Sequence, residues 1–467
     1  MKFLTVFLFG FSLTFCTPDL ALLEQIKSEG TLRAVTRNSP TTYYENVTGK
    51  AGLEYELMQA FAEELGVKLD ISLLEDTEAM LKQVADNKFH FAAAGLTVNQ
   101  KNKNLVRFGP SYQQVTSHLV YHRDIKKPPE NLSEFTEAYP IYVVADSYQV
   151  DYLKKLHEKQ PNIVWREVAG VDPNELLEDV LNQSIGYALV DSHEVEQMTH
   201  FHPDLAIHLS VAESRQLAWA FPRSQDDSLY IAAIRFFGRL ESSGQLKRLL
   251  ERYYGHLEHE RKHFVDSQLF YEHVKTRLPH YRKYFEQIGL RYQLDWQFIA
   301  AIGYQESQWN PNAVSKTGVK GLMQLTHAAA EEVNVTDRVD PLQSIEGGAK
   351  YFLSIKKRIN STIPEPDRTW FTLAAYNIGL GHMEDARRLA ARYGANPKLW
   401  VEVKEYLPYL SRRKWYRQTR YGYARGYEAL DFVTQVRRFY DMLLHLEDKP
   451  LEETSFKPLV KPTLPTF

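Results

Sequence analysis

The rhythm of apolar and polar positions changes character once along this chain. From about Leu20 to His256, short β-rich runs alternate with helical stretches: Thr31-Leu-Arg-Ala-Val-Thr36, then Tyr55 to Leu65, then Val67 to Leu73. Repeated switching between strand and helix periodicity predicts βαβ units and an α/β architecture. Within this region Leu53, Leu57, Phe61 and Leu65 fall on one stripe of a helix that Gly66 stops, so the helix is expected to pack on a sheet. Beyond Tyr254-Gly255 the helical period dominates from Phe264 to Leu446, which predicts a mainly α second domain. The final stretch from Lys449 to Phe467, with Pro450, Pro458, Pro462 and Pro465, is expected to be extended or unstructured. The expected division is a leader-like segment at 1–16, an α/β domain at 20–258, a helical domain at 264–448 and a Pro-rich tail at 449–467.

The helical half holds a constellation of polar and aromatic clusters. Asp295 is a plausible N-cap for a helix from Trp296 whose apolar face includes Ile299, Ile302 and Gly303. Glu306 lies four residues past Ile302 and seven past Ile299, hence on that same buried face, beside Ser307 and Trp309. Burial without a partner favours the protonated carboxyl, the form a general acid needs near neutral pH. A polar loop, Trp309 to Gly318, leads into Gly321-Leu-Met-Gln-Leu-Thr326, where Thr326 is placed to cap the next helix. Leu373-Ala-Ala-Tyr-Asn-Ile-Gly379 ends another helix, and Tyr421-Gly-Tyr-Ala-Arg-Gly-Tyr427 stands near the end.

Composition narrows the classes. With 467 residues the chain is long enough for two or three cores, and a net charge of −3 provides no global basic field for nucleic acid or an anionic bilayer. Met1-Lys2 followed by the apolar run Phe3 to Phe15 has the form of an export signal and is too short to span a bilayer comfortably. Cys16, the single cysteine, rules out an intramolecular disulfide and a multi-cysteine metal site. It closes a lipobox-like Leu13-Thr14-Phe15-Cys16, although Phe15 stands where Gly, Ala or Ser is usual. Lipidation, a plain cleaved signal and an uncleaved anchor all remain open. The basic stretch Arg412-Arg-Lys-Trp-Tyr-Arg417 with Arg420 and Arg425 has two readings in an exported protein: a site for carboxylates of a partner, or a solvated helix face.

Two resemblances attach to these residues. Gly30-Thr-Leu-Arg-Ala, the Gly52 to Gly66 helix, Phe91-Ala-Ala-Ala-Gly-Leu-Thr97, Val106 to Tyr112 and Ile185 to Asp191 resemble, in order and spacing, the periplasmic amino-acid-binding proteins. That implies a two-lobed α/β fold closing on a ligand, with crossovers near Tyr121 and Ala212. The ligand-gripping arginine of that family is replaced by Asn102, between Lys101 and Lys103, while Asp191 keeps the place of the carboxylate that holds a ligand ammonium. Asp191 is therefore a regulatory-ligand candidate, its other reading being a cap for the helix that follows. Gln305-Glu-Ser-Gln-Trp-Asn-Pro311, Gly318 with Gly321 to Thr326, Ala374 to Gly379, and Tyr423 resemble the four motifs of the soluble-type lytic transglycosylases, whose catalytic domain is goose-lysozyme-like and mainly α.

The second resemblance implies that Glu306 is the catalytic acid/base. It implies substrate-binding roles for Ser307, Ser315, Gln324, Tyr376 and Asn377, and for Tyr423 a role in positioning Glu306 or the reacting ring. It also implies peptidoglycan glycan strands as substrate, with no cofactor and no metal. Between Glu306 and Glu331 there is no Asp or Glu. A single carboxylate suffices if the nucleophile is the substrate's own C6 hydroxyl, giving a 1,6-anhydromuramoyl end. The rivals are a muramidase using Asp337 or Asp340 to position water, and a catalytically silent cell-wall-binding sensor. The expected setting is the periplasmic side of the envelope, at the outer membrane, with a muropeptide or stem peptide in the first domain.

Overall fold

The computed structural model describes residues 20–39, 41–46, 49–255, 264–315 and 318–448. The expected export segment, Cys16 and the Pro-rich tail lie outside them.

The described residues of the first half form ten strands: β1 (Thr31–Thr36), β2 (Tyr44–Asn46), β3 (Gly49–Ala51), β4 (Lys68–Leu73), β5 (Phe91–Ala92), β6 (Arg107–His122), β7 (Ile141–Val144), β8 (Trp165–Val168), β9 (Tyr187–Asp191) and β10 (Leu205–Phe221). Eight form one sheet in the order β4-β1-β5-β10-β6-β9-β7-β8, while β2 and β3 make a separate hairpin. Pairing is parallel for β1 with β4 and β5, and for β7 with β8 and β9, as βαβ crossovers require. The long strands β6 and β10 run antiparallel to one another through both halves of the sheet.

These two strands make the two lobes. Their register breaks between Val211 and Arg215, so Arg215 pairs with Val115 on one side of the break and Val211 with Ser117 on the other. A bulge of this kind bends and twists the strands locally. The crossover on β10 thus falls at the expected place, whereas that on β6 lies near Val115–Ser117, several residues before Tyr121. Tyr121 already pairs with Tyr187 inside the second lobe. Its aromatic, β-rich surroundings read alike on both sides of the bend, so the pattern carries no mark of the break.

Each lobe buries both faces of its part of the sheet. The helix Leu53–Leu65 sets Leu53, Leu57 and Phe61 against Phe91, Trp219 and Phe236, a fully buried aromatic cluster. Each such side chain contributes about 1.5–3 kcal/mol by leaving water.

From Phe264 onward the regular elements among the described residues are all helices. The helix Trp296–Ser307 is central, and the long helix Gly426–Asp448 packs along it. Phe270, Tyr304, Trp309 and Phe439 interlock there, with ring centroids 4.6 to 5.7 Å apart. The two halves meet along the helix Gln245–Tyr254. Its Arg248 bonds Asp367 at 2.5 Å, and its Glu251 takes Lys404 at 2.9 Å and Arg437 at 2.8 Å, both Glu251 and Arg437 being buried. A second contact joins Tyr271 Oη to the Phe201 carbonyl at 3.1 Å, with Phe201 stacked on His445.

Candidate active site

Asp295 caps the helix Trp296–Ser307 by accepting from the Gln297 N–H at 2.9 Å, which fixes where the helix begins and which face it turns inward. Ile299 and Ile302 are buried on that face, and Glu306 emerges from it in the last turn. Glu306 retains partial solvent exposure, unlike the fully buried residues one and two turns before it. None of its hydrogen-bonding capacity is used by the described residues. Desolvation by the surrounding protein is the one influence on its ionisation, and it pushes the carboxyl up to about 8. At neutral pH Glu306 is therefore mainly an acid with a proton to give.

The wall beside it is the turn Gly321–Leu325. Ser307 Oγ lies 2.8 Å from the Leu322 carbonyl and 3.1 Å from that of Gly303, and accepts from the Asn310 N–H. In this arrangement Ser307 braces the Glu306 helix against the turn. Gly321 adopts φ +82°, and a Cβ there would lie 1.7 Å from the Arg338 carbonyl oxygen, so only glycine fits. Gln324 is itself left-handed, at φ +46°. Its amide nitrogen donates to the Ala313 and Gly321 carbonyls at 2.9 and 2.8 Å, leaving the amide oxygen for a ligand. Thr326 caps the next helix by accepting from the Ala329 N–H at 3.0 Å.

The helix Asp367–Ile378, which reaches the same turn, ends at Gly379, φ +87°. Tyr376 Oη donates to the Met323 carbonyl at 3.3 Å, and its phenol is raised well above its ordinary value, first by burial and then by the nearby Glu306 charge. Ser307 and Tyr376 thus both reach the turn that carries Gln324, with Tyr376 close to Glu306. Asn377 is exposed at the helix end, and its side chain makes no hydrogen bond among the described residues. Ser315 is held within its own loop, where its Oγ accepts from the Val319 N–H at 3.2 Å. Tyr423 is half exposed, packs edge-on to Tyr416 at 5.7 Å, and makes no hydrogen bond to Glu306 in this conformation.

Both carboxylates of the hydrolase alternative are committed to backbone. Asp340 caps its helix through the Gln343 N–H at 2.8 Å, and Asp337 accepts from the Val339 N–H at 2.9 Å. A supporting feature escaped the sequence reading. Met323 sits between Gly303 and Gly348, where an added Cβ would come within 3.1 and 2.5 Å of its side chain. The doublet Gly347-Gly348 inside a helix is the available signal, since glycine there costs about 1 kcal/mol and needs a packing reason.

The cleft between the two lobes is a second site. The Asp191 carboxylate accepts from Thr97 Oγ1 at 2.8 Å, Ser117 Oγ at 3.0 Å and Gln149 Nε2 at 2.6 Å, and makes no cap bond to the helix it precedes. The capping alternative is therefore excluded. Lys101 bonds Asp146 across the cleft at 2.5 Å, and Asn102 lines it. Sequence reasoning missed the buried pair of Arg37, from the end of β1, with Glu194, three residues past Asp191. Thr41 also donates to Glu194 at 3.0 Å.

A two-lobed α/β unit is thus fused to a helical unit that holds a proton-bearing carboxyl at the end of its central helix. The model of the bacterial extracellular solute-binding proteins, family 3, matches residues 32–256, and the transglycosylase SLT domain matches residues 283–398. The SLT match spans every site residue from Glu306 to Asn377 and ends before Tyr423. The membrane-bound lytic murein transglycosylase F of Pseudomonas putida (strain GB-1) is 41% identical over 94% of this chain and 90% of that protein. The corresponding protein 1 of Alkalilimnicola ehrlichii is 42% identical over 96% and 90%. Among solved structures, a solute receptor for L-cysteine of Neisseria gonorrhoeae aligns at a TM-score of 0.45 and 17% identity, over 51% of this chain and 96% of that one. The chain belongs to the membrane-bound lytic murein transglycosylase F family. It is a peptidoglycan lytic transglycosylase associated with the cell envelope.

Proposed function

We propose that Glu306 alone supplies the acid/base chemistry, cleaving the β-1,4 bond between N-acetylmuramic acid and N-acetylglucosamine. Glu306 gives its proton to the leaving O4. As the resulting carboxylate, it then takes the proton of the muramoyl C6 hydroxyl as that oxygen attacks C1. The bond from C1 to O4 breaks, the bond from C1 to O6 forms, and one 1,6-anhydromuramoyl end results with no water consumed. The observation that carries this reading is a carboxyl with no hydrogen-bond partner among the described residues, raised by desolvation. Gln324, Tyr376 and Asn377 would hold the sugars flanking the bond. Ser307 and Ser315 would act by holding the helix and the loop, and Tyr423 would close on the ring once substrate is present. Mass spectrometry of digested peptidoglycan tests it, since anhydro ends lack one water relative to reducing ends. Reducing ends as the main product would establish a hydrolase instead.

The division of labour in this reading is a regulatory domain at 20–258 and a catalytic domain at 264–448, on the periplasmic side of the outer membrane. A muropeptide or stem peptide would enter the inter-lobe cleft with its ammonium displacing Thr97 from Asp191. Lobe movement would then reach the enzyme through the helix Gln245–Tyr254. Calorimetric titration of stem peptides and free amino acids, with Asp191→Ala as control, decides this. Tight binding of a free amino acid, or no stem-peptide binding and no change in rate, would remove the coupling.

A further inference from the structure

The catalytic reading leaves one strongly charged surface unused. Between Tyr406 and Tyr427 the chain carries six cations, Arg412, Arg413, Lys414, Arg417, Arg420 and Arg425, and no Asp or Glu, in a molecule of net charge −3. All six are exposed. Arg425 pairs with Glu428 at 2.9 Å, and the other five make no ion pair among the described residues. Three lie over aromatic rings instead: Arg412 over Tyr409 at 5.4 Å, Lys414 over Trp415 at 5.7 Å and Arg420 over Tyr421 at 5.5 Å. Such a run of one sign repels itself, a cost that an anionic partner relieves.

The run is held rigidly and in a particular place. Tyr409 stacks on Trp415 at 4.6 Å, Trp415 meets Tyr393 at 4.8 Å, and Tyr416 meets Tyr423 at 5.7 Å. Buried Asp385 accepts from the Arg420 and Tyr421 N–H groups at 3.1 and 2.7 Å, and the Tyr421 ring fills the space beside Gly381. Asp385 and Gly381 belong to the helix Leu380–Arg392, which starts directly after Asn377-Ile-Gly379. The run is therefore docked, through Asp385 and Gly381, on the helix that starts directly after Asn377.

We propose that this basic, aromatic-backed rim binds the carboxylates of the peptide stems on the substrate, so that the enzyme favours stem-bearing glycan through charge. The inference rests on the transglycosylase reading above. Sugars bearing N-acetyl groups are neutral, and in a stem-bearing strand the negative charge sits on the peptides. Those are the groups a cationic rim on the helical unit would meet.

The test uses the full-length protein, wild type and Arg412→Gln/Arg413→Gln/Lys414→Gln/Arg417→Gln, on soluble stem-bearing strands whose carboxylates are either native or converted to methylamides. Each exposed pair contributes modestly. Together the four should lower the wild-type KM for native strands roughly tenfold relative to methylamide strands, with similar kcat. The variant should show the higher KM on both substrates. Equal KM values for wild type on the two substrates, or an equal loss by the variant on both, would overturn the proposal. So would a variant that keeps its KM but no longer binds phosphatidylglycerol vesicles, which would make the rim a membrane contact. Absence of anhydro products from wild type on either substrate would instead remove the transglycosylase reading itself.

Discussion

Glu306 and Glu194 are both withdrawn from water, yet they end at opposite ends of the pH scale. Burial raises both. At Glu194 the charges of Arg37 and His193 and the hydroxyl of Thr41 outweigh it and hold the carboxylate at about 2. At Glu306 nothing opposes burial, and the carboxyl reaches about 8. Partner count, rather than depth, separates a fixed charge that ties two lobes together from a proton poised for transfer.

The largest break in this comparison is Glu306→Gln, which keeps shape but removes the transferable proton. Release of anhydromuropeptides should fall by on the order of 10²–10⁴, with the fold intact by circular dichroism. Next in size is Glu194→Gln, which strands Arg37 and should cost about 3–5 kcal/mol in urea denaturation of the binding domain. The kcat of the folded enzyme on glycan should stay near wild type, because Glu194 is remote from the glycan cleft in the chain's architecture.

The two sites also respond to pH with opposite sign. Glu194, with a depressed folded value, contributes stability that is present above its unfolded value and lost as pH falls through about 2. Glu306, with a raised value, costs stability progressively as pH rises from its unfolded value to about 8. Wild type should therefore lose melting temperature relative to Glu306→Gln across that upper window, and catalytic rate should decline above about pH 8. Smaller again is Gly348→Ala, which pushes on Met323 and should cost about 1–3 kcal/mol with a reduced kcat. Tyr376→Phe should be smallest, about 0.5–1.5 kcal/mol for the bond to the Met323 carbonyl, read as a small drop in thermal midpoint.

Much of this was legible beforehand because local patterns decided it. Asp295 and Thr326 cap the helices they precede, Gly379 stops the helix carrying Tyr376, and Glu306 follows the face of Ile299 and Ile302. What stayed hidden depends on contacts distant in sequence. The Arg37–Glu194 pair spans 157 positions, and nothing near either residue announces the other. The donors that occupy Asp191 come from three separate elements. Ser307 likewise looked like a substrate contact within its motif, but its hydroxyl lies within bonding reach of Leu322, fifteen residues on.

The central claim is that Glu306 carries its proton at neutral pH because desolvation stands unopposed. The most direct measurement is an infrared difference titration, wild type minus Glu306→Gln, following the protonated carboxyl stretch of this one group. The account predicts a carbonyl band that persists at pH 7 and disappears with a midpoint near 8. A band already lost by about pH 5, as for a solvated glutamate, would contradict it.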